Sequence, residues 1–150
     1  MSVSAQLSSA SRAAIGALVA AYAERVDGGD LAGVAALFED ATYRSAQGGS
    51  YRGRAAVLDV LQRKVILHAD GTPRTKHVTT NLVIDGDEAA GTAAARSYFT
   101  VLQATARLPL QPIVAGRYHD RFVRGAGGWR FADRLILMDL VGDLSEHLRR

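Results

Sequence analysis

Asp27 and His77 are the two side chains best suited to move a proton in this chain. Asp27 follows the last turn of an alanine-rich helical segment, where the helix dipole presents partial negative charge and a carboxylate is mildly disfavoured. Its surroundings, Val26-Asp27-Gly28-Gly29-Asp30, are also those of a turn, in which aspartate is common. Turn formation explains Asp30, which precedes a second helix, better than it explains Asp27, so a structural and a chemical reading of Asp27 stand side by side. His77 lies in the segment Thr75–Ile84, where alternation puts His77, Thr79 and Asn81 on one face and Val78, Thr80, Leu82 and Ile84 on the other. The His77 face is the more polar one. It meets solvent, or, on the concave side of a curved sheet, it lines a pocket with a few oriented polar groups. Imidazole accepts a proton near neutrality, and a neighbouring carboxylate would hold its tautomer and stabilise the imidazolium.

Arg134 interrupts an apolar stripe formed by Ala132, Ile136, Met138 and Leu140. A guanidinium among aliphatic groups needs an anionic or carbonyl partner, because an unpaired buried charge is very costly. That partner is either a core acid or a ligand. Arg96, among Thr92, Ala94 and Tyr98, presents the same choice. His119 alternates with Arg117 and Arg121, opposite Gly116, Tyr118 and Phe122, which predicts a solvated strand face for it; His68 and His147 read as loop and tail residues. No two histidines have the i, i+4 spacing of a zinc hydrolase helix, no Gly-x-Ser-x-Gly occurs, and the glycines form no phosphate loop. Neither metal nor cofactor is expected.

These candidates need a scaffold, and 150 residues with 48% hydrophobic content suffice for one domain, 1–150, with a sizeable core. Cysteine is absent, which excludes disulfides, thiolate catalysis and cysteine-ligated clusters. The net charge of +3 comes from arginines interspersed with acids. The densest group, Arg117, Arg121, Arg124 and Arg130, is broken by Asp120 and Asp133, so no nucleic-acid partner is expected. The longest apolar stretch, Ile15 to Ala23, is far too short for a membrane span. The N-terminus lacks the basic and apolar regions of a secretory signal. A cytoplasmic location is therefore the expectation.

Ile15, Leu18, Val19, Tyr22 and Val26 recur at helical spacing, which predicts a first helix over Ser9–Val26, stopped by Gly28-Gly29. Asp30 is placed to cap a short second helix, Ala41–Ser45 reads as a strand, and Arg54–Leu67 reads as a third helix. From Thr75 the period falls to two and β-branched and aromatic residues dominate. Strands are predicted over Thr75–Ile84, Ala89–Gln103, Ile113–Arg124 and Trp129–Val141, with Asp85-Gly86-Asp87 and Gly125–Gly128 as turns. Helices first and long antiparallel strands afterwards imply an α+β fold.

Three segments, in this order, carry a family resemblance: Ala21–Asp30 with Val34–Phe38, Lys76–Asn81, and Gly116–Phe122 leading into Gly128–Arg134. Together they resemble the SnoaL-like branch of the nuclear-transport-factor-2-like superfamily, over about Ser9 to Leu148. The resemblance implies a cone-shaped fold in which helices lean on a strongly curved mixed or antiparallel sheet and enclose an apolar pocket. In similar enzymes, such as scytalone dehydratase and hexachlorocyclohexane dehydrochlorinase, an aspartate after the first helix pairs with a strand histidine that removes a substrate proton. Asp27 and His77 occupy those positions, and Arg134 matches an arginine that helps bind the leaving group. Tyr22 stands where the dehydrochlorinase has a lysine, so dehydrochlorination is not implied.

The implied activity is that of a cofactor-free lyase or isomerase, dehydratase- or cyclase-like, acting on a small hydrophobic molecule. His77 would be the base, Asp27 its orienter and Arg134 a stabiliser of negative charge, with Tyr22, Tyr43, Tyr98, Tyr118 and Met138 contacting substrate. A homodimer or homotrimer is expected by the same analogy. The alternative is a non-catalytic ligand-binding or assembly module, similar to the β subunit of ring-hydroxylating dioxygenases, since one fold serves many functions.

Overall fold

The structure, a computed structural model, describes residues 6–150. Residues 1–5, on which the reading of the N-terminus largely rests, lie outside that range. Helix α1 spans Ser9–Asp27, and the Ser8 hydroxyl caps it by accepting the Ser11 amide. Its buried residues Ile15, Val19, Tyr22 and Val26 follow the anticipated spacing. Gly29 takes φ +77°, and a Cβ there would stand 2.0 Å from the Gly71 carbonyl oxygen, so the turn after α1 requires glycine. Asp30 caps α2, Leu31–Ala36, by accepting the Gly33 amide at 2.9 Å.

After β1 (Thr42–Ser45) the chain forms a short strand that the sequence did not announce, β2 (Ser50–Arg52), before α3 (Arg54–Lys64). Helix α3 ends three residues before the anticipated Leu67, because Val65 turns extended (ψ 127°) and bridges Leu148 near the C-terminus. Four long strands follow: β3 (Thr75–Asp87), β4 (Thr92–Gln103), β5 (Gln111–Gly125) and β6 (Gly128–Val141). Asp85, Gly86 and Asp87 do not turn; they stay paired in β3, and a Cβ on Gly86 would lie 2.6 Å from the Thr92 carbonyl oxygen of β4. Glycine serves close strand approach there, and the reversal falls later, around Gly91 at φ +65°.

The sheet runs β2-β1-β6-β5-β4-β3. Among the described residues, only β1 and β6 pair in parallel. The fold is thus α+β, as the helix-then-strand order implied, with a mixed six-stranded sheet that does not close. The core lies between the helices and one sheet face, centred on Phe38, Phe122 and Phe131, with Phe38 and Phe131 stacked at 4.9 Å.

A bulge between Thr80 and Val83 inserts one extra residue in β3 opposite β4, with Asn81 at φ +54°. One inserted residue reverses which face later side chains take. Ile84, placed opposite His77 by simple alternation, therefore packs against the same core, while Leu82 and Val83 stay exposed.

Candidate active site

Helix α1 delivers Asp27 to the start of β3. Asp27 Oδ1 lies 2.6 Å from His77 Nδ1 and accepts the Thr75 hydroxyl at 2.8 Å, while Oδ2 accepts the His77 backbone N–H at 2.8 Å. Three donors from one strand offset the unfavourable position of a carboxylate at a helix C-terminus. Burial raises the carboxyl pKa, but the hydrogen bonds and charge of His77 and the Thr75 hydroxyl outweigh it and hold Asp27 below 3.8. The side chains of Asp27 and His77 are 11% and 7% exposed. A carboxylate only accepts, so Nδ1 carries the proton and Nε2 is left as the basic nitrogen.

His77 is part of the wall of a cavity of about 310 Å³, with Tyr22, Tyr43, Phe99, Tyr118 and Met138 around it. The Tyr22 and Tyr43 hydroxyls are hydrogen-bonded at 2.9 Å, and Tyr22 meets His77 edge-on at 6.4 Å. Burial raises the pKa of Tyr22, Tyr43 and Tyr118, so all three stay protonated donors at neutral pH.

Arg134 does not line the cavity. It is fully buried on β6 and gripped by Asp120 of β5 through two hydrogen bonds of 2.8 and 2.9 Å. Its guanidinium lies 3.7 Å from the Tyr118 ring centre and 4.3 Å from that of Tyr22, behind the tyrosines that face the cavity. Burial disfavours the charge, but the Asp120 carboxylate overcomes this and keeps Arg134 protonated. The internal ion pair is realised, and Tyr22 and Tyr118, not Arg134 itself, face the cavity.

Tyr98 requires correction. It is 53% exposed on the outer sheet face, sharing that face with Ala94 and Arg96, while Ser97, Phe99 and Val101 point inward. In β4 both faces carry alanine and an aromatic, so hydropathy did not reveal which side was buried, and Phe99 takes the place expected of Tyr98 in the cavity wall. Arg96 is likewise exposed, 3.9 Å from Asp85. His119 is on the exposed face, as its alternation with Arg117 and Arg121 predicts.

Tyr51 on β2 and His147 also line the cavity, and neither was among the anticipated site residues. His147 is 6% exposed in a turn after β6, with its ring centre 6.0 Å from that of His77. Burial and the nearby His77 push its pKa down to about 4. The sequence signal for it was the pair Leu144 and Leu148, whose apolar side chains draw the tail onto the core.

Residues 8–135 match the family model of the SnoaL-like domain. No curated protein matches the chain. A candidate scytalone dehydratase from Novosphingobium aromaticivorans is 26% identical, with a TM-score of 0.70 over 88% of this chain and 86% of that one. An aspartate-to-asparagine variant of Rv3472, a protein of unknown function from Mycobacterium tuberculosis, is 32% identical over 85% of this chain and 70% of that one, with a TM-score of 0.69. LinA, at 24% identity, shares the fold with a TM-score of 0.71 over 91% and 90% of the two chains. The α+β architecture, the order of elements around the cavity and the family match over most of the length agree: the chain belongs to the SnoaL-like family, within the nuclear-transport-factor-2-like fold.

Proposed function

We propose that this domain is an acid-base enzyme of the lyase or isomerase type, working without a cofactor on a small, largely apolar molecule. The observation that carries the reading is the Asp27–His77 pair, held by three hydrogen bonds at the wall of an aromatic cavity. The substrate presents a C–H next to a carbonyl or similar electron-withdrawing group. His77 Nε2 takes that proton, the C–H electron pair moves toward the carbonyl oxygen, and Asp27 stabilises the imidazolium. The hydroxyl pair of Tyr22 and Tyr43 donates a hydrogen bond to the developing oxyanion. Arg134, acting through the tyrosine rings, favours negative charge on that side. Return of the proton at another carbon gives isomerisation; loss of a β substituent gives elimination. The candidate scytalone dehydratase supports a lyase-type reading at this coarse level.

The test is solvent deuterium exchange. A panel of small cyclic ketones is incubated with the protein in D2O and deuterium beside the carbonyl is followed by NMR. The wild type should catalyse exchange into at least one ketone, and His77→Ala should abolish it. Equal exchange by wild type and His77→Ala would overturn the mechanism.

A further inference from the structure

His147 is not used by the chemistry proposed above, yet the fold pins it with care. Its carbonyl accepts the Ile66 amide at 2.9 Å and its amide donates to the Leu144 carbonyl at 3.0 Å. On one side, the Glu146 carbonyl accepts from the buried Gln103 side chain at 3.0 Å and lies 2.9 Å from His68 Nε2. On the other, the Arg149 amide donates to the Lys64 carbonyl at 2.8 Å and Leu148 bridges Val65. The turn is thereby fastened to α3, β4 and the loop before β3, and it sets the imidazole into the cavity wall beside His77.

The ring itself is unsatisfied. Nδ1 is enclosed without a partner, while Nε2 is not enclosed and is the ring nitrogen open to a ligand. Leaving a buried polar group unpaired is unfavourable, and among the side-chain atoms left so here the His147 ring is the one that belongs to the cavity wall.

We propose that His147 is a further polar anchor of the cavity, its Nε2 a hydrogen-bonding partner for a hydroxyl or carbonyl oxygen on an otherwise apolar ligand. This rests on the cavity being the ligand site, and it places an oxygen of the ligand at the wall shared by the two histidines. Because burial and His77 disfavour its protonation, His147 is neutral at physiological pH and acts as a positioning residue rather than as a second base.

The experiment compares 2-naphthol with naphthalene, which differ by one hydroxyl. Titration calorimetry of the wild type should give about tenfold tighter binding of 2-naphthol, the range of one net hydrogen bond. His147→Phe should bring the two affinities within about twofold, with naphthalene unchanged. On the wild-type protein, histidine 15N NMR should show the His147 nitrogens shifting with 2-naphthol and not with naphthalene, a reading independent of how the variant folds. Equal binding of both compounds, or movement of the His77 signals alone, overturns the role of His147 and leaves the cavity as the ligand site. If neither compound binds, the cavity reading falls, and the anchor with it.

Discussion

Asp27 meets His77 twice, through Nδ1 at 2.6 Å and through the backbone N–H at 2.8 Å, so one carboxylate holds both the ring and the strand that carries it. An amide in its place offers one acceptor where two are needed. Asp27→Asn should therefore lower the deuterium-exchange rate about 10²–10⁴-fold, the usual contribution of a positioned acid-base group. Little change in ketone affinity is expected. A kcat loss under threefold would show that the pair is structural.

Asp120 and Arg134 are both fully buried and depend on each other. Asp120→Asn leaves the Arg134 charge uncompensated and should cost about 3–5 kcal/mol, read as a shift in the urea midpoint. Replacing the two together, Asp120→Leu with Arg134→Met, should recover most of that loss. If the double variant is as unstable as the single one, packing rather than uncompensated charge governs this site.

His147 makes stability depend on pH. Its folded pKa of about 4 lies below the ordinary 6.5, so between those values the unfolded chain binds a proton that the folded chain refuses. Stability is fully present above pH 6.5 and declines as pH falls toward 4, by up to about 3 kcal/mol. His147→Gln should flatten urea stability over that window. Asp27, held below 3.8, loses its contribution only at still lower pH, so the two effects separate on the pH axis.

Tyr43 and Tyr98 give opposite expectations. Tyr43→Phe removes one hydroxyl of the pair facing the cavity and should slow exchange about tenfold, at a stability cost near 1 kcal/mol. Tyr98→Ser, on the outer face, should leave exchange within about twofold of wild type, as surface substitutions do. Comparable loss in both variants would mean that exchange does not occur in this cavity.

Much of this was legible from order alone. The spacing of Ile15, Val19, Tyr22 and Val26 specified α1 and its buried face, Asp30 announced a cap, and alternation placed His119 outside. The awkwardness of Asp27 at a helix end was also readable, as was the need of Arg134 for a partner. Their partners were not. Asp27 reaches residues 48 and 50 positions away, and Arg134 pairs with Asp120 across the β5–β6 pair. The bulge after Thr80 moved Ile84 to the inner face, β4 hid which of Tyr98 and Phe99 faced inward, and the tail folded back to set His147 beside His77. Periodicity is a property of neighbours along the chain, so it gives elements and their faces. Register, bulge parity and the docking of a tail are settled by side chains distant in sequence competing for the same buried space, and the cavity wall is made there.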